Sequence, residues 1–237
     1  FLQARKYTEL SSGLVSSVIQ KVGLPVLSKE KTDPSKQLES FRTILRFTAM
    51  FTFPLMTYIA IGSARIVDQL LGEKWLETAP LLSVLSISQM FYPIHVLNLT
   101  LLKSRGRSDL FLKADLLKLP VLVLILFFTI KEGLFSIAIG HLVFSVIAFL
   151  INAGYTARLS RYNIYQQGGD LFIFLVALLP YSYIVNLIVN LAIPGLLALF
   201  VAFLVGLSIY FSLLLILGLK EPLLILSLIS KNDRGNE

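Results

Sequence analysis

The chain has no cysteine, which excludes disulfides and cysteine-ligated metal sites. It has only two histidines, His95 and His141, too few for a histidine-rich metal centre, and a single tryptophan, Trp75. Charge is also scarce. Asp, Glu, Lys and Arg make up 15% of the residues, against about 25% in an ordinary globular domain. No Ser/His/Asp arrangement, paired-carboxylate site or glycine-rich phosphate loop stands out, so an enzyme is not expected. The chain begins at Phe1, inside a helical pattern, without the basic region and cleavage site of a signal peptide. A fragment of a longer protein is the expectation.

What the sequence does have is hydrophobic residues, 56% of the chain, with a mean hydropathy of +0.79. That is too much apolar surface for one soluble core, and several membrane spans of about 20 residues account for it. The runs are long and lack period-two alternation, which disfavours membrane strands of about ten residues. The expected fold class is therefore all-α, a polytopic integral membrane helical bundle. It has about seven transmembrane helices: from the start to about 27, then about 41–71, 78–102, 110–130, 134–157, 170–189 and 194–219. Residues 1–219 form the transmembrane unit, and 220–237 a cytoplasmic tail. Gly72 reads as the end of one helix, and Thr78 with Pro80 as the start of the next. Gly133, Gly168 and Gly169 read as turns, and Asp170 as an N-cap.

The net charge of +7 would point to nucleic acid in a soluble protein. Its distribution points elsewhere. All of the 21 Lys and Arg except Arg5, Lys6, Arg65, Lys74 and Lys131 fall on one side of the predicted bundle. The positive-inside rule makes that side cytoplasmic. The C-terminus is then cytoplasmic, the protein multi-pass, and no nucleic-acid partner is expected. The opposite connections are very short, and Trp75 beside Lys74 fits an interfacial anchor.

The first helix is amphipathic. At about 100° per residue, Arg5, Lys6, Glu9, Gly13, Ser16, Ser17 and Gln20 share one face. In a membrane such a face points to a wet cavity or to a partner helix. A guanidinium beside an ammonium suits an anionic group such as a diphosphate, although the same two cations could also snorkel to headgroups. Arg5, Lys6, Glu9, Ser16 and Gln20 are therefore the candidate substrate-binding residues. His95 and His141 are candidates for ion coupling or for lining the cavity. Interhelical hydrogen bonding is the plainer role for both. Arg65 and Asp68 are expected to pair with each other, and Asp115 is expected in an ion pair at the cytoplasmic edge. Pro180, Tyr181, Tyr183 and Asn186 could line a lipid groove or simply pack. No cofactor or metal is expected.

The segments VGLPVLSK, ESFRTILRFTAM followed by FPL, LLGEKWLETAPLLSVLSI and LLKSRGRSD occur in that order. The stretch of about 4–152 that carries them resembles the second half of a bacterial polysaccharide flippase. Flippases of this kind belong to the superfamily that includes the multidrug and toxin extrusion (MATE) transporters. The resemblance implies the C-terminal lobe of a two-lobe MATE-like transporter in the bacterial cytoplasmic (inner) membrane, working by alternating access. The cargo would be an oligosaccharide on a polyprenyl diphosphate, moved to the periplasmic leaflet for surface polysaccharide such as O-antigen. The implied partners are this lipid-linked oligosaccharide, membrane lipids and an N-terminal lobe of the same protein, with H+ or Na+ as the coupling ion. The alternatives are a drug or solute antiporter of the same superfamily, a membrane polysaccharide polymerase or ligase, and a scaffold without cargo. A cationic cavity face argues against cationic drugs, and the short outer loops leave no room for a catalytic loop.

Overall fold

The computed structural model describes Ser17 and residues 19–160 and 162–223. Among the described residues there is no strand. A π-helical turn, Ile19–Gly23, runs into the short helix α1, Leu24–Lys29. Helix α2, Pro34–Leu71, follows. It starts earlier than the hydrophobic run suggests. The Asp33 side chain accepts hydrogen bonds from the Ser35 and Lys36 amides at 3.1 Å, and Pro34 occupies a first-turn position that needs no amide proton.

At its far end α2 stops at Gly72, whose φ of 89° lies in the left-handed region that a side chain disfavours. A 3₁₀ turn, Glu73–Thr78, leads into α3, Ala79–Gln89, and then α4, Tyr92–Ser104. The single helix expected over 78–102 is thus two helices. They break at Met90 and Phe91, immediately before Pro93, which has no amide proton to continue the ladder. The remaining helices are α5, Ser108–Thr129, α6, Leu134–Leu159, α7, Ile164–Val189, and α8, Gly195–Ile216.

Helix α7 corrects two expectations. Gly168 and Gly169 lie inside it, and Asp170 does not cap it. The cap is Asn163, in a reciprocal box with Gln166.

Among the described residues, five helical segments are long and apolar enough to cross a membrane: Pro34–Leu71, Glu73–Ser104, Leu134–Leu159, Ile164–Val189 and Gly195–Ile216. This is fewer than the seven expected. Part of the first expected helix lies outside the described residues. α5 is long enough to span, but it carries Lys113, Asp115 and Lys118 in its first half.

Helix α2 is the centre of the packing. On one side it contacts α7, which in turn packs along α8. On the other it contacts α3 and α4, which pack on α6, and α5 lies outermost against α6. The core runs through α2 from Phe41 to Met56 and continues into Phe174, Tyr181, Val185 and Tyr210. Helices α7 and α8 approach closely because residue 206 is glycine. A Cβ there would lie 2.7 Å from Val185 Cγ2 and 2.9 Å from Tyr181 Cε2. Small residues at helix contacts are how membrane bundles pack, since apolar burial alone does not separate helix from lipid. Tyrosine hydroxyls find backbone partners in the same region. Tyr181 donates to the Pro54 carbonyl at 2.9 Å, and Tyr58 to the Leu199 carbonyl at 2.8 Å. Tyr181 is therefore packing, and Tyr183 is exposed.

Candidate functional site

Charged residues fix the level of each helix. Residues 47–64 of α2 carry no charge. Arg46 and Arg65 bound that run, about 28 Å apart at 1.5 Å per residue, which matches a hydrocarbon core of about 30 Å. Both arginines engage the ends of neighbouring helices. Arg65 donates to the Leu191 carbonyl at 2.7 Å and the Ile193 carbonyl at 3.1 Å, in the turn just before α8. This corrects the expected pairing with Asp68, whose carboxylate instead accepts from Gln69 at 2.9 Å. Arg46 Nε lies 3.0 Å from Glu221 Oε1, just past the other end of α8.

Next to it, at the end rich in lysine and arginine, Arg42 donates twice to Asp170, at 2.8 and 2.9 Å. The Tyr162 hydroxyl also donates to Asp170. Burial, and this bond to a carboxylate, push the Tyr162 phenol well above its ordinary range. In the same layer Arg105 donates to Gln37 Oε1 at 2.7 Å and to the Leu159 carbonyl, and Gln37 donates to the Leu27 carbonyl at 2.6 Å. Partial burial lowers the Arg105 guanidinium from its usual value. The basic end is thus tied across α1, α2, α4, α6 and α7 by side chains reaching backbone and carboxylate acceptors.

Between these levels, where α3, α4, α5 and α6 meet, is a cavity of about 540 Å³ lined by Gln89, Tyr92, His95, Asp115, Lys118, His141 and Ser145, among others. It opens beside the α3–α4 break. His95 Nε2 is 2.9 Å from the Ser145 carbonyl oxygen. A carbonyl only accepts, so this nitrogen carries the proton and donates it. His141 Nδ1 is 2.5 Å from Ser88 Oγ, which is 2.9 Å from Ser145 Oγ. Asp115 and Lys118 form an ion pair at 2.7 Å, with the lysine side chain 13% exposed.

The ion pair was expected, but its position is different. Lys118 sits about 15 Å along α5 from Ser108, beside the histidines and away from the cytoplasmic edge. The signal was present in the sequence. The longest uncharged run of α5 is residues 119–129, about 16 Å, which is too short to span. A full crossing by α5 must therefore carry Lys118 into the bilayer. Charged residues at such depth are costly and face cavities or partners.

The other predicted residues fall differently. Gln20 is exposed, in the π-helical turn. Arg5, Lys6, Glu9 and Ser16 lie outside the described residues. His95 and His141, on different helices, are brought to one cavity. The Arg42–Asp170 pair was missed by reading the sequence, although Asp170 borders the uncharged run 171–219 and Arg42 lies one turn before Arg46, which borders the run 47–64. No group of three or more His, Asp or Glu placed to hold a metal is found among the described residues.

These features describe a multi-pass helical membrane protein with polar side chains gathered at mid-depth. Residues 1–80 match the model of a family described as polysaccharide biosynthesis protein. The chain is 28% identical over 151 residues to the teichuronic acid biosynthesis protein TuaB of Bacillus subtilis (strain 168), covering 63% of this chain and 31% of the relative. It is 27% identical over 139 residues to an uncharacterized membrane protein in the cps region of Klebsiella pneumoniae, covering 58% of this chain and 29% of the relative. The chain thus aligns with under a third of the length of either relative. No solved structure matches it significantly.

Proposed function

We propose that the chain is one lobe of a polysaccharide flippase, which moves a polyprenyl-diphosphate-linked oligosaccharide from the cytoplasmic to the periplasmic leaflet of the bacterial inner membrane. The observation that carries this reading is the similarity to a teichuronic acid biosynthesis protein along 63% of the chain, in a protein whose described residues form membrane-length helices. Moving a large polar head across about 30 Å of hydrocarbon needs a polar pathway and breaks no bond. The mid-depth cavity is part of such a pathway in this proposal. Arg5 and Lys6 supply cations for the diphosphate, and the His95–His141 region is where H+ or Na+ couples to transport. No enzymatic step is assigned to the chain.

The test uses the full-length protein in its own cell. Arg5→Ala together with Lys6→Ala is expected to abolish surface polysaccharide while membrane insertion and protein level stay normal. Normal surface polysaccharide in the double variant would remove both residues from the pathway. A MATE-like antiporter would instead change drug or solute resistance and leave polysaccharide intact.

A further inference from the structure

At the basic end, where α2 passes the end of α8, there is a second cleft of about 540 Å³, lined by Glu39, Arg42, Arg46, Lys220 and Glu221. It is separate from the mid-depth cavity and serves no step assigned above. Its groups are only partly used. Arg42 is committed to Asp170 through two hydrogen bonds. Arg46 Nε lies 3.0 Å from Glu221 Oε1, yet its N–H does not point along that line and makes no hydrogen bond. Glu221 Oε2 is buried and also lacks a hydrogen-bond partner among the described residues, in a side chain only 7% exposed. A buried carboxylate oxygen without a donor is unfavourable, so the wall of the cleft holds an acceptor with no donor on it. Glu39 and Lys220 stand exposed at its rim.

The position of the cleft selects the ligand. Arg46 marks one face of the hydrocarbon slab, so the cleft lies at headgroup level. Beside it the end of α8 exposes Leu215, Ile216 and Leu217, an apolar flank along which acyl chains can run. A ligand with a charged head at this level and an apolar body is a lipid. The lining offers both signs, cations for a phosphate and carboxylates for an ammonium.

We infer that this cleft binds a phospholipid with a phosphoethanolamine head. The phosphate sits against Arg46 and Lys220, and the ammonium donates to Glu221 and Glu39. Phosphocholine fits less well because its quaternary nitrogen has no N–H to give Glu221. Phosphoglycerol has hydroxyl donors but no cation, so it offers the carboxylates only the weaker hydrogen bonds of a neutral donor. The inference depends on the membrane level of α2 and α8 and is independent of what the protein transports.

The full chain is reconstituted into vesicles of phosphatidylcholine alone, with added phosphatidylethanolamine, or with added phosphatidylglycerol. It is then extracted in mild detergent, and the retained lipid is read by native mass spectrometry. Phosphatidylethanolamine is expected to be retained about tenfold over the other two, the worth of one charge-assisted hydrogen bond. Glu221→Gln is expected to remove that preference, and inorganic phosphate is expected not to displace the lipid. Equal or better retention of phosphatidylglycerol, no preference at all, or displacement by phosphate would each overturn the inference. If Glu221→Gln fails to fold, the exposed variants Glu39→Gln and Lys220→Gln decide. Glu39→Gln is expected to weaken the preference several-fold and Lys220→Gln to weaken retention of all three lipids, and either result unchanged would overturn it.

Discussion

The half of the bundle made by α2, α7 and α8 and the half made by α3 to α6 handle polarity differently. In the first, glycine lets helices touch, tyrosine hydroxyls close on backbone carbonyls, and the charged groups sit at the two ends. In the second, a helix breaks at mid-depth and two histidines, an aspartate and a lysine surround a cavity. Ionisable groups at that depth carry a cost that ends with headgroup contacts do not. A stable scaffold has no need of them there. Under the proposed function, the first half is the wall and the second the part that would handle polar cargo or ions.

The largest expected effect separates these roles. Replacing His95 and His141 together by leucine in the full-length protein is expected to lower surface polysaccharide at least about tenfold, a loss of transition-state stabilisation near 1.4 kcal/mol. Protein level should stay near normal, and thermal stability should fall by no more than about 1–3 kcal/mol, because Ser88 and the Ser145 carbonyl each lose a partner. Unfolding of the variant with no separate effect on export would assign the histidines to the scaffold.

Close helix approach occurs in both halves, at Gly206 and at Gly140, whose Cβ would lie 2.8 Å from Ile125 Cγ2, and is readable in glycine substitutions. Gly206→Leu forces bulk into Val185 and Tyr181 and is expected to cost about 3 kcal/mol, seen as a lower unfolding temperature in detergent. Gly154 on α6 has only Ile164 Cδ1 near its Cβ position, at 3.9 Å, and Gly154→Ala is expected to change stability by no more than about 0.5 kcal/mol. Equal costs at the two sites would contradict the close approach at Gly206.

A smaller effect tests the clamp at the basic end. Tyr162 has a raised phenol pKa because it is buried and bonded to Asp170. A raised folded-state value means that its contribution to stability is complete below the ordinary tyrosine pKa of about 10. The contribution is then lost as pH rises from there through the folded value. In an alkaline absorbance titration, Tyr162 is expected to ionise only with unfolding. Early ionisation that is absent in Tyr162→Phe would contradict the clamp.

Much of this was legible in the sequence. Six of the expected helical segments correspond to observed ones, because runs of this length without charge have few other solutions. The misses share a physical origin. Asp33 and Asn163 start α2 and α7 before the apolar run begins, so hydropathy placed both starts late. The break before Pro93 was invisible because a membrane helix can also carry proline with only a kink. For the site, the two histidines were visible as rare ionisable residues, but sequence alone does not place α5 beside α4 and α6. Asp115 and Lys118 therefore looked like a local pair at an edge. Arg65 was assigned to its sequence neighbour Asp68, whereas its long side chain reaches the carbonyls of a turn some 125 positions away, a tertiary contact that i,i+3 spacing does not reveal.

The central claim is that, among the described residues, polar access at mid-depth belongs to the α3–α6 half. The absence of native cysteine allows a direct measurement with single introduced thiols in membrane vesicles. Tyr92 at the cavity and Leu179 on the outer face of α7 are both exposed, by 45% and 69%. They lie at similar depth, about 16 Å from Lys103 and about 14 Å from Asp170 along their helices. With Tyr92→Cys and Leu179→Cys, a charged, water-soluble maleimide is expected to label the first and spare the second. Protection of both thiols, or faster labelling at Leu179→Cys, would contradict the account.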